Sequence, residues 1–228
     1  MTSLLFITTP SASHKDINRI LLYLRDWECS DGDDDNFKLV TTKNAYDLEG
    51  EPLDGYDGHY MLEATAPPVP IEIENAWARA SLRDVEEFCA DMERGETKGA
   101  DPGLVVVVDG KGLREKTCVL VRKVYRRDKD GDAASSQADV DVDDEDRDRD
   151  QDEGAKSPRF WKMRLPWEET FVSWASVSTA NGDFEEMGER KKGSKTLWEW
   201  WETGRFATEA GNSVRDAEIE RLRDEGRA

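Results

Sequence analysis

His14 and His59 are the only histidines in the chain, and the only side chains whose ordinary titration falls near neutral pH, so general acid or base chemistry is sought there first. His59 stands in "DGYDGHYM" among Asp54, Tyr56, Asp57 and Tyr60, in a long loop where a carboxylate such as Asp57 could orient an imidazole. His14 falls in the first turn of an expected surface helix and reads as a plain exposed residue. No G-x-S-x-G elbow accompanies either histidine, and no cysteine has a histidine at a recognisable spacing. A hydrolase-like site on His59 and Asp57 is therefore the catalytic alternative, weighed against an aromatic loop that packs over a sheet edge.

Three further stretches resemble chemical motifs and fail on order. "GERKKGSKT" (188–196) has the glycines and lysines of a phosphate loop, but Ser194 precedes Lys195, whereas the lysine must come first for the hydroxyl to reach magnesium. "DGKGLRE" lacks the third glycine of a dinucleotide fingerprint and reads as a hairpin turn between two strands. "DGDDDN" and "DKDGD" suggest calcium, yet setting either glycine at the sixth loop position puts Trp27 or Arg126 at the first. No cofactor or metal is expected. Cys29, Cys89 and Cys118 are odd in number and widely spaced, which fits a reducing compartment and buried or incidental thiols.

The aromatic residues favour recognition. In "LWEWWETGRF", Leu197 and Trp201 share a helical face while Trp198 and Trp200 point to opposite flanks, so one helix cannot easily bury all three tryptophans. Exposed tryptophans are common binding anchors, and the alternative is one aromatic core with Trp161, Trp167 and Trp174. Just upstream, "STANGDFEEM" (178–187) places Asn181 and Gly182 in a tight turn, then Asp183 as the N-cap of a short helix with Glu186 three residues on. Asn181, Asp183, Trp198 and Trp200 are the candidate binding residues.

Composition bounds the rest. The chain has 228 residues, 37% of them apolar, eight tryptophans and a formal charge of −19. Residues 128–158 carry thirteen acids against Lys129, Arg147, Arg149 and Lys156, a net of −9, so about half of the charge sits in a segment too polar to bury a core. That charge disfavours direct nucleic-acid binding, and an acidic protein that competes with nucleic acid for a basic partner is a further alternative. "MTSLLFITTP" is too short in apolar residues for a signal core, and no run approaches the ~20 needed to cross a bilayer, so no membrane contact is expected and the location expected is cytoplasmic.

The elements that must position these residues follow from periodicity. "LLFITT" (4–9) reads as a buried strand, residues 13–27 as an amphipathic helix capped by Ser13, and "FKLVTT" (37–42) as a second strand parallel to the first. Residues 43–70 form a long, mostly irregular connection. A second amphipathic helix runs from about Ser81 to Gly95, and "GLVVVVDG" is a central strand covered on both faces. "EKTCVLVRKVYRR" and the alternating Trp161, Met163, Leu165 and Trp167 give two antiparallel strands joined across the acidic insertion. The fold class expected is α/β: one domain over 1–208 with a mixed sheet, a parallel first half and an antiparallel second half, then a polar tail over 209–228 that is a loose or frayed helix.

"RLPWEETFVSWASVSTANGDFEEM" resembles the C-terminal signature of the DUF6924 family, small and mostly bacterial domains, at Ser178, Ala180, Asn181, Asp183, Phe184, Glu185 and Glu186. The leading strand, helix, second strand, valine-rich strand and hairpin match that family's order as well. Ala175 and Ser176 stand where the family pattern has two asparagines. The resemblance implies a fold and a boundary and brings no assigned activity. The function expected is a non-catalytic intracellular module for an unidentified protein partner, with the hydrolase and the nucleic-acid mimic as alternatives.

The acidic segment should be dispensable for folding. Replacing residues 128–158 with a short Gly/Ser link is expected to leave thermal unfolding cooperative, and a broad, non-cooperative transition would show that the segment belongs to the core.

Overall fold

The computed structural model describes residues 2–27, 35–54, 59–95, 97–124, 159–179 and 209–228. Strand β1 (Thr2–Ile7) lies between β2 (Phe37–Leu39) and β5 (Ala100–Val108), parallel to both; β6 (Thr117–Val124) and β7 (Arg159–Pro166) then add antiparallel, giving the order β2-β1-β5-β6-β7. This is the single α/β domain with a mixed sheet that the periodicity predicts. The acidic insertion connects β6 to β7, whose register is continuous from Thr117 opposite Pro166 to Val124 opposite Arg159.

Burial explains the layers. Val105 and Val107 face one side with Leu4, Phe6, Val119 and Val121, while Val106 and Val108 face the other with Leu5, Ile7, Cys118 and Leu120. Each of the four β5 valines is at most 1% exposed, so each contributes about 1.5–3 kcal/mol of transfer free energy. Helix α1 (His14–Leu24) covers the second side through Ile17, Ile20, Leu21 and Leu24. Helix α2 (Leu82–Arg94) covers the first through Val85, Cys89 and Met92. Both start alike: Ser13 and Ser81 each accept a backbone N–H at the third helical position, and Asp16 and Asp84 reach back to the cap N–H.

The connection 43–80 is more ordered than its glycines and prolines suggest. A 3-10 turn at Ala45–Leu48 leads to a small hairpin of β3 (Glu51–Pro52) and β4 (Tyr60–Met61). That hairpin is moored at the amino end of the sheet, where Thr2 Oγ1 donates to Leu62 O at 2.6 Å and Gly50 N donates to Lys98 O at 2.8 Å. The chain then runs beside β2 and shields its edge through Thr65 N to Phe37 O and Ala76 N to Thr41 O, both 2.9 Å. Trp77, 1% exposed, packs edge-on against Phe6 and Phe88, with both centroids at 4.9 Å, and donates from Nε1 to Thr42 O.

Three expectations are corrected. "DGKGLRE" forms no hairpin turn: Gly110–Glu115 is a short helix, α3, capped by Asp109 and closed by Lys116 in the left-handed region at φ 53°. Trp167 does not extend the β7 alternation; it opens α4 (Trp167–Ser178), which buries Thr170, Ser173, Trp174 and Val177 beside α1. Pro166 at its N-cap makes a sharp strand-to-helix corner, because proline suits the start of a helix and ends a strand ladder. The segment 209–228 is docked: helix α5 (Glu209–Asp224) buries Ile219 and Leu222 on Leu22 of α1, while Val214 stays exposed.

Gly112 is required by the α3 to β6 contact. A Cβ there would meet Thr117 O at 2.3 Å, far inside contact distance. Gly112→Ala should therefore cost about 1–3 kcal/mol in denaturant unfolding, the usual range for overpacking, and an unchanged midpoint would refute the assigned packing.

Candidate functional site

Helix α1 follows β1 on one face of the sheet and α2 precedes β5 on the other, so the chain leaves β1 in opposite directions on its two sides. Such a switch point opens a crevice outside the carboxyl ends of the parallel strands, the usual ligand position in open α/β sheets. Here the loop after β1 and the loop after β5 lie side by side, joined by Thr8 N donating to Val108 O at 2.9 Å. Thr9 Oγ1 and Ser11 Oγ are 2.8 Å apart, and Ser11 N donates to Thr9 Oγ1. Across from them Gly110 carries no side chain. A Cβ built on it would lie 3.6 Å from Thr9 Oγ1 and 3.7 Å from Arg114 Nη1, with no other such contact within 4 Å. A hydroxyl and a guanidinium thus lie within ordinary contact distance of the Gly110 Cβ position.

The electrostatics of this edge are asymmetric. Asp109 receives Arg164 through two bonds, 2.6 and 3.1 Å, and its Oδ1 also accepts Gly112 N at 2.6 Å. Partial burial pushes its carboxyl up, but the Arg164 bonds and the Gly112 N–H outweigh that and hold it below the ordinary carboxylate value. Asp84 is likewise held low by its bonds with the Ser81 backbone and hydroxyl. Asp16 is engaged by Ser13, and Glu115 lies 3.8 Å from Lys111. These four carboxylates have partners, while the side chains of Arg79 and Arg114 have no ion-pair or hydrogen-bond partner among the described residues.

Arg79 is exposed and has φ 76°, a left-handed backbone that L side chains rarely adopt. Its N–H donates to Thr8 O at 2.8 Å, and the turn leading to it is fixed by Asn75, whose Nδ2 donates to Ile7 O and whose Oδ1 accepts Trp77 N. Buried Trp77 below, with Lys43 Nζ 5.2 Å from its ring centroid, holds this turn over the ends of β1 and β2.

The residues singled out from sequence lie elsewhere. His59 is exposed in the β3–β4 hairpin, moored at the amino end of the sheet and so at the opposite end from the crevice; Asp57 lies outside the described residues. Asn181, Asp183, Trp198 and Trp200 also lie outside them. His14 begins α1 and is half-buried. Cys89 and Cys118 are buried, and burial pushes both thiols up to about 12, far from a nucleophilic thiolate. Among the described residues no group of three His, Cys, Asp or Glu is placed to hold a metal ion, and no helix is long and apolar enough to cross a membrane. Sequence reasoning missed Thr9, Arg79, Asp109, Gly110 and Arg114. The available signal was topological: a β-α-β unit followed by a central strand places two loops at a switch point whatever their composition. Comparisons with protein-family models, curated proteins and solved structures find no match to this chain.

Two carboxyls give opposite pH dependences. The folded value of Asp109 lies below its unfolded value, so its stabilisation is complete above the unfolded value and is lost as pH falls through the folded one. Asp101, near the amino end of β5, is pushed up by burial against the opposing Gly103 N–H and Arg122, so the stability it contributes is present below the unfolded value and lost as pH rises through the folded one. Denaturant midpoints measured across the carboxylate range should show Arg164→Gln flattening the acid-side loss and Asp101→Asn flattening the loss on the other side. Parallel profiles for variant and parent would contradict these assignments.

Proposed function

We propose that this chain is a non-catalytic interaction or regulatory module that meets a protein partner through the carboxyl edge of β1 and β5. The observation that carries the reading is Arg79. A long cationic side chain stands exposed on a left-handed backbone, fixed by bonds to Thr8 and by the Asn75 turn. Such a conformation costs on the order of 1–3 kcal/mol and glycine would adopt it freely, so the arginine is held there at the expense of stability. Its position beside the switch-point crevice links that strain to the place where α/β sheets bind.

The wider setting belongs to the same proposal. The order strand, helix, strand, valine strand and hairpin supports kinship with the DUF6924 family, and two buried thiols support a reducing, cytoplasmic environment. Asn181, Asp183, Trp198 and Trp200 enter as a second contact on their composition alone.

Arg79→Gly separates stability from recognition. It should raise stability by about 1 kcal/mol by relieving the left-handed strain, while lowering capture of the partner identified by affinity enrichment and mass spectrometry. A glycine variant that retains the partner would remove Arg79 from the interface, and one that loses stability would contradict the strain argument.

A further inference from the structure

We propose that α5 is a displaceable cover over a helix-docking face of α1, and that an amphipathic helix of a partner protein takes its place; the proposal is independent of the carboxyl edge. Leu22 of α1, with Tyr23 and Trp27 beside it, forms an apolar cluster with Ile219, Leu222 and Ala228 that is separate from the two clusters packed on the sheet. The helix seated there shows what the face accepts. Arg215, Ile219 and Leu222 are all buried and recur at i, i+4 and i+7, the spacing with which a helix lies on an apolar surface. Arg215 Cζ lies 4.6 Å from the Tyr23 ring centroid, and Arg215 Nη2 lies 3.9 Å from Glu168 Oε1 of α4. The occupant that fits is therefore a helix with a basic residue one turn ahead of two aliphatic ones.

The seating of α5 is economical enough to be reversed. Ile219 and Leu222 are its buried aliphatic residues among the described ones, while Val214 stays 52% exposed. Asn18 Nδ2 fastens the segment by donating to Arg227 O at 2.6 Å, yet Arg227 Nε is buried with no hydrogen-bond partner among the described residues, so part of its desolvation is uncompensated. The ion pairs of this segment are largely internal: Arg221 pairs with Glu218 and Glu225, and Arg223 with Glu220. Those pairs support the helix whether or not it is seated, so release forfeits the contacts with α1 and α4 and little else. Helix α1 stays on the sheet through Ile17, Ile20, Leu21 and Leu24, and its uncovered outer side then offers Leu22, Tyr23 and Trp27 to another helix.

The probe is a fluorescein-labelled peptide of residues 209–228, titrated by fluorescence anisotropy into the full chain and into its Leu222→Asp variant, in which a carboxylate placed in the apolar cluster drives α5 off. Saturable binding at least about tenfold tighter to Leu222→Asp is expected, because a cover seated roughly nine-tenths of the time or more lowers the apparent affinity of the parent by that factor. Adding Leu22→Asp to the Leu222→Asp chain should abolish the binding. Equal affinity for parent and variant, no saturable binding to either, or binding that survives Leu22→Asp would overturn the proposal. So would a Leu222→Asp chain that no longer unfolds cooperatively with heat, since α5 would then belong to the core. Each of these outcomes leaves the Arg79 capture experiment standing, because that arginine lies outside the α1 and α5 cluster.

Discussion

The double-sided burial of β5 is the constraint on which the architecture depends. A strand whose four consecutive valines are at most 1% exposed must be covered above and below and hydrogen-bonded on both edges. Helices α1 and α4 meet the first requirement on one face, and α2 with Trp77 meets it on the other. Strands β1 and β6 meet the second. Because β1 is parallel to β5 and β6 antiparallel, the same strand divides the sheet into its two halves and places the crevice at one end of the dividing line.

That arrangement sorts the molecule by end. The carboxyl end of the parallel strands receives the loops after β1 and β5, the turn around Asn75 and the helix starts capped by Ser13 and Ser81. The amino end receives the β3–β4 hairpin, Asp101 and the ends of β6 and β7 from which the acidic insertion departs. Val124 and Arg159, which flank the acidic insertion, therefore lie at the end of the sheet opposite Arg79 and the loop after β5.

Much of the scaffold was legible because its signals are local. The helices at Ser13 and Ser81 announce themselves by a cap, an acid three residues on and a 3.6-residue stripe; β5 does so by an unbroken valine run. The misread elements depend on distant residues. Asp109 caps α3 only because Arg164 and the β6 backbone frame that helix, and the sequence "DGKG" alone favours a turn. Helix α4 was hidden by Trp167, which continues an alternating pattern by identity but turns its Nε1 to Thr117 O. The crevice was harder still: none of its residues forms a motif, and they meet only through strand order.

Helix α5 has a kinetic meaning that its small apolar stripe conceals. Its attachment couples residues at opposite ends of the sequence, as in the Asn18 Nδ2 bond to Arg227 O, which spans 209 positions, while Asn18 Oδ1 accepts Val69 N. Closing so long a loop gains little until α1 is already seated on the sheet, so this docking is expected late in folding and early in its reversal. On that expectation the outer surface of α1 is the last to become dry, and its amides exchange through a local opening of α5 in place of the global transition.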